Sequence, residues 1–116
     1  MLDEYIKCFL HGSQFVGTDA EEYWTIEEFE VFCRKHFEEG KGWTYHLHDR
    51  KIYFSGGGAC AWFFERLFNE KYGEVRGSGV LLPKENGTWG IAQYVLSFPI
   101  PNKLVASLTE QINKRK

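Results

Sequence analysis

"GEVRGSGVLLPKENGTWGIAQYVLSFPI", residues 73–100, decides how the fold is read. Two apolar runs flank Asn86-Gly87, a dipeptide that favours hairpin turns because both residues tolerate positive φ. Taken as a two-residue loop, it pairs Glu85 with Thr88. Counting back then sets Arg76 opposite Ser97, Ser78 opposite Val95, Val80 opposite Gln93 and Leu82 opposite Ile91. A guanidinium inside an apolar, glycine-rich strand is costly without a partner. A preceding turn centred between Glu70 and Lys71 supplies one, Glu65, directly opposite Arg76.

Side chains alternate along a strand, and paired residues share a face. One face then carries Ala61, Phe63, Glu65, Leu67, Arg76, Ser78, Val80, Trp89, Ile91, Gln93, Val95 and Ser97. Apolar residues surrounding the polar island Glu65, Arg76, Ser78, Gln93 and Ser97 suit a small-molecule site. The opposite face, with Cys60, Trp62, Phe64, Arg66, Phe68, Val75, Leu81, Tyr94, Leu96 and Phe98, is also apolar and needs cover. With few helices available, the expected cover is a second copy. The predicted homodimer joins through the face bearing Trp62, Phe64, Tyr94 and Leu96.

Outward from the hairpin, the spacing of Leu2, Tyr5, Ile6, Phe9 and Leu10 predicts a short helix, followed by a turn at residues 11–13 and a brief strand, "QFVG". Thr25 with Glu28 makes a capping box. Behind it, Ile26, Phe29, Val31, Phe32, Cys33, His36 and Phe37 form the broad apolar stripe of a helix that Gly40 ends. "WTYHLHDRKIYFS", residues 43–55, then reads as one strand or two, with Gly56-Gly57-Gly58 as a turn. "ACAWFFERLFNEK" reads as a long strand. Pro101 opens a closing helix through Leu104, Val105, Leu108 and Ile112. Glycines 77, 79 and 90 indicate sharp curvature or close backbone approach. The order predicts one α+β domain over residues 1–116, a strongly curved antiparallel sheet in a cone-shaped barrel with helices on its concave face.

The 116 residues are 43% apolar and 26% charged, enough for a core and unlike a disordered chain. A net charge of −2 leaves no basic patch for nucleic acid; the one basic cluster, "NKRK", reads as a solvated helix end. No apolar run reaches the ~20 residues of a membrane span and no leader is evident, so the expected location is cytoplasmic. Cys8, Cys33 and Cys60 are widely spaced and read as reduced thiols. His46 and His48 form an H-x-H without an evident third ligand, so no metal and no other cofactor is expected.

"FVGTDAEEYWTIEEF", "GKGWTYHLHDRKIYFS", "AWFFE", "RGSGVL" and "GTWGIAQYVLSFPIPN" together resemble the SnoaL-like branch of the nuclear-transport-factor-2-like superfamily, from about Tyr5 to the final helix. The resemblance implies the cone-shaped barrel, a pocket between sheet and helices, and dimerisation through the sheet. It also implies a fold shared with steroid isomerases and polyketide cyclases. Relatives begin with a long helix that closes the pocket; here little precedes Leu2, so that helix is short or missing. "WFFE" stands where relatives tend to carry "WFDE", so Phe64 replaces a carboxylate. Val95 stands where they often carry a histidine, and the steroid isomerases' carboxylate falls near Gly17, with Asp19 two residues on.

Two functions of different class follow. One is a non-catalytic ligand-binding or dimerisation domain, favoured by the missing carboxylate and histidine. The other is a cofactor-free isomerase or cyclase acting on a small cyclic carbonyl compound. Its base would be Asp19 or Glu65, and Arg76 would stabilise oxyanion charge. In either, Phe63, Ser78, Trp89, Ile91, Gln93, Val95 and Ser97 line a pocket for a small hydrophobic carboxylate or ketone. The plainer reading of Asp19 is a turn residue, and that of Glu65 and Arg76 a structural ion pair.

Overall fold

The computed structural model describes residues 2–38 and 45–115, apart from the side chains of Leu2 and Phe37. The expected helix stop at Gly40 and the strand start at Trp43 lie outside the described residues. Helix α1 (Leu2–Lys7) leads into β1 (Phe9–Val16), β2 (Tyr23–Thr25) and α2 (Ile26–Glu38). Strands β3 (His46–Phe54), β4 (Ala61–Asn69), β5 (Gly73–Pro83) and β6 (Trp89–Ser97) follow as a meander, and α3 (Val105–Lys114) closes the described chain. The six strands form one curved, unclosed sheet in the order β2-β1-β6-β5-β4-β3. All pairs are antiparallel except β1–β6, which is parallel.

The capping box starts α2 as expected. The Glu28 backbone N–H donates to Thr25 Oγ1 at 3.2 Å, and the Thr25 N–H donates to Glu28 Oε1 at 3.0 Å. The apolar stripe of α2 buries Ile26, Phe29 and Cys33 against Phe9, Phe15, Phe63 and Tyr94. Phe15 and Phe29 stack with centroids 3.8 Å apart, joining β1 to α2. Phe9 and Leu10, expected at the end of the first helix, and the residues expected as a turn at 11–13 belong to β1 instead. Between the pairs Phe9–Ile91 and Gln14–Gln93, residues 10–13 bulge opposite Ala92 alone, and Gly12 takes the positive φ of 79° that the bulge needs.

Both hairpins differ from the sequence-based register by one residue. At the first, Asn69 pairs with Gly73 around a three-residue loop. Asn69 Oδ1 accepts the N–H groups of Lys71 and Tyr72 at 2.9 and 3.0 Å, and Gly73 takes φ 79°. Glu65 therefore pairs with Gly77, and Arg76 with Arg66. At the second hairpin, Lys84 and Thr88 bracket another three-residue loop with Gly87 at φ 84°. An extra residue in β6, Ala92, then restores the count. Arg76–Ser97, Ser78–Val95 and Val80–Gln93 pair as predicted, while Ile91 pairs with Leu81 instead of Leu82.

A slip of one residue turns every side chain to the other face. The inner face carries Ala61, Phe63, Glu65 and Leu67 with Val75 and Tyr94, all buried. Arg76, Ser78, Val95 and Ser97 lie on the outer face with Trp62, Phe64, Arg66 and Phe68. The predicted face thus joined two half-faces that the sheet separates. For the dimer, Trp62 and Phe64 are outer and exposed, but Tyr94 is in the core.

Candidate functional site

Glu65 is the charged residue at the centre of the inner face, and only 5% of it is exposed. Its partner is Arg50, directly across on β3, whose Nε donates to Glu65 Oε1 at 2.7 Å. The Tyr94 hydroxyl donates to Glu65 Oε2 at 2.5 Å. Both carboxylate oxygens are engaged, as a buried carboxylate requires. Burial first, and the bond to Glu65 second, push the Tyr94 phenol well above the usual tyrosine range, so it stays a donor at any ordinary pH.

Two glycines make room for this arrangement. A Cβ on Gly77 would stand 1.9 Å from Tyr94 Oη and 3.1 Å from Glu65 Oε2. A Cβ on Gly79 would stand 2.8 Å from the Phe63 ring and 2.6 Å from the Gln93 carbonyl oxygen. The "RGSGV" glycines therefore bare the inner backbone so that Tyr94 and Phe63 can lie across it, the close approach that the sequence suggested.

The arrangement offers one unsatisfied group. The Arg50 side chain is 45% exposed. Among the described residues Glu65 is its only ion-pair partner, so its remaining guanidinium donors are free for an anion. On the same face of β3, Leu47, Ile52 and Phe54 are exposed, and Phe54 meets the Trp89 ring edge-on at 5.9 Å. An anion with an apolar body suits this rim.

The other expected site residues are dispersed. Phe63 is buried, with its ring against Tyr94, and Ile91 packs on the core. Ser78, Val95, Gln93 and Ser97 point away from Glu65. Arg76 is exposed and directly opposite Arg66, which itself pairs with Glu74 at 3.2 Å. Asp19 is exposed in the β1–β2 connection, where Oδ1 accepts the Glu21 N–H at 2.9 Å, a local turn bond. His46 pairs with Phe68 and His48 sits in a bulge of β3. Among the described residues no three His, Cys, Asp or Glu converge as a metal site would need.

Two surface depressions, of about 320 and 240 Å³, are lined by Leu10, Ser13, Gln14, Leu82 and Ala92, and by His48, Arg66, Phe68 and Glu74. Neither reaches Glu65. Arg50 and Tyr94 were missed because their meeting with Glu65 depends on the three-residue loop at Asn69 and the bulge at His48. The Asn-x-x-x-Gly spacing at 69–73 was the signal available for the first; the second carries none.

The sequence profile of the SnoaL-like domain family matches residues 2–101. The chain belongs to the SnoaL-like domain family. No curated protein matches it. An uncharacterised protein with a cystatin-like fold from Caulobacter vibrioides superposes with TM-score 0.69 at 13% identity, over 91% of this chain and 80% of that one. An NTF2-like protein of unknown function from Pseudomonas putida gives 0.65 at 12% identity, over 88% and 75%. A ketosteroid isomerase-like protein from Erwinia carotovora atroseptica gives 0.59 at 15% identity, over 86% and 82%. At these identities the likeness establishes the fold alone. Among the described residues no helix is long and apolar enough to cross a membrane.

Proposed function

We propose that this SnoaL-like domain is a non-catalytic, cytoplasmic dimerisation and ligand-binding unit that pairs through the outer face of its sheet. The observation that carries this reading is the row of Tyr53, Trp62, Phe64 and Phe68, four exposed rings on that face. Tyr53 lies 6.5 Å from both Trp62 and Phe64, so these three rings form one patch. A patch of this kind on a soluble fold marks an interaction surface, and a two-fold contact covers it with its own copy. Tyr94 and Leu96 play no part in the interface proposed here.

The ligand is a small hydrophobic carboxylate or ketone, oriented by Arg50 at the rim of the inner face in the role first given to Arg76. Support for a binding role over a catalytic one comes from Glu65. Only 5% of it is exposed and Arg50 and Tyr94 hold its two oxygens, and one oxygen of Asp19 caps a turn. The isomerase or cyclase reading keeps Glu65 as base with Arg50 beside it, and a ketosteroid isomerase-like neighbour is what favours it.

Light scattering at micromolar concentration tests the pairing: Phe64→Glu is expected to lower the mass, and an unchanged mass removes the outer face from the interface. A thermal-shift screen of aromatic and steroid-like carboxylates and ketones tests the ligand. Stabilisation is expected with the native chain and lost in Arg50→Ala. Turnover of a cyclic enone that is abolished in Glu65→Gln would establish the enzyme instead.

A further inference from the structure

Helix α3 is amphipathic and stands alone. Leu104, Val105, Leu108 and Ile112 recur on one stripe, and none of its residues is buried. No described element beyond the one-turn helix at its own start makes more than a marginal contact with it. Pro101 in the connector holds φ −57° and ψ 135°, an extended conformation that carries the helix away from β6. The segment also lies beyond residues 2–101 matched by the family profile.

Among the described residues the sheet has one long free edge. β3 is exposed at all nine residues, whereas the other edge, β2, has only three. An open edge strand needs cover, and a helix laid along it is one common form. The inner row Leu47, Ile52 and Phe54 offers that helix an exposed apolar track. The track is about 23 Å long, and a ten-residue helix of about 15 Å fits within it.

The surface area argues for a second self-contact. A compact chain of 13.6 kDa exposes about 6,600 Å²; this one exposes 8522 Å². Its radius of gyration is 16.0 Å, against about 13 Å for a compact domain of this length. A standard contact covers about 800 Å² per partner, so pairing through the outer face leaves more than half of the excess uncovered.

We propose that α3 of one copy lies along β3 of a second copy, seating Val105, Leu108 and Ile112 on Leu47, Ile52 and Phe54. The exchange is reciprocal about a two-fold axis. It uses the inner row and free edge of the sheet and does not rest on the outer-face pairing; because Arg50 lies between Leu47 and Ile52 on that row, α3 and the proposed ligand compete for it.

The test mixes full-length chains lacking the two accessible thiols (Cys8→Ser, Cys60→Ser), one carrying Ile52→Cys and the other Leu108→Cys. Mild oxidation is expected to yield a disulfide-linked pair of unlike chains, with none when Phe64→Cys replaces Ile52→Cys. In parallel, Leu108→Glu with Ile112→Glu is expected to lower the mass in light scattering at least twofold. Ala106→Glu, on the far side of the helix, should leave it unchanged. Ile112 is exposed and Leu108 only partly covered, so circular dichroism should report an intact fold. A mass unaffected by the double substitution overturns the proposal. So does a chain carrying both cysteines that closes only on itself at nanomolar concentration. Loss of mass in Phe64→Glu reads the outer face separately.

Discussion

Gly77 shows how one missing methyl group determines what the inner face contains. Tyr94 reaches Glu65 only by crossing β5 where there is no Cβ, so Gly77→Ala must displace the phenol. Overpacking of this kind costs about 1–3 kcal/mol, and the loss of the Tyr94–Glu65 bond adds to it. Tyr94→Phe removes the atom nearest to the new methyl. The double variant should therefore lose less stability than the sum of its parts, a non-additivity that urea unfolding can measure. Arg50→Leu strips Glu65 of its counter-charge; breaking a buried pair costs about 3–5 kcal/mol, and the half-exposed guanidinium places this one below that range. Cys33 adds a pH signature. Burial pushes its thiol up to about 11 from 9.0. Above pH 9 the unfolded chain releases this proton before the folded one does, so stability falls as pH rises from 9 towards 11. Unfolding midpoints across that window should drop less in Cys33→Ala.

Among the elements, the start of α2 and the hairpin loops show the two extremes of what sequence specifies. The Thr25–Glu28 box is a local pattern with a local consequence, and it stands where the spacing put it. Thr25→Ala should cost about 1 kcal/mol, readable as a lower midpoint with unchanged helicity at low temperature. The existence of β3 to β6 was equally legible, since apolar runs bounded by Gly, Pro and Asn leave few alternatives, but β2 was not foreseen and β1 only at its end. Loop length was not. Asn86-Gly87 signals a turn, yet a two-residue loop and a three-residue loop with Gly87 at positive φ use the same dipeptide, and Ala92 then hides the difference by bulging. At Asn69 no bulge compensates, so the slip persisted and moved Arg76 away from Glu65. The Arg50–Glu65–Tyr94 unit was half legible: Glu65 was found, but its partners sit beyond a loop signalled only by the Asn69–Gly73 spacing and a bulge at His48 that no local pattern encodes.

At the scale of the whole molecule, the sheet shelters apolar side chains inside and leaves four rings exposed outside. If the outer faces pair, unfolding is coupled to dissociation, and apparent stability depends on protein concentration. The size of that dependence follows from elementary terms. Each tenfold increase in concentration adds about 1.4 kcal/mol per dimer. Unfolding releases roughly 2.1 cal/mol/K of entropy per residue, and two chains of 116 residues share the increment. Their ratio is a rise of about 3 °C in Tm per tenfold in concentration. Scanning calorimetry from 5 µM to 500 µM should therefore move the native midpoint by about 6 °C. In a chain that combines Phe64→Glu, which sets a carboxylate among the rings, with Leu108→Glu and Ile112→Glu, so that both proposed self-contacts are lost, the midpoint should stay flat. A native midpoint independent of concentration would mean that the rings of the outer face meet something other than their own copy.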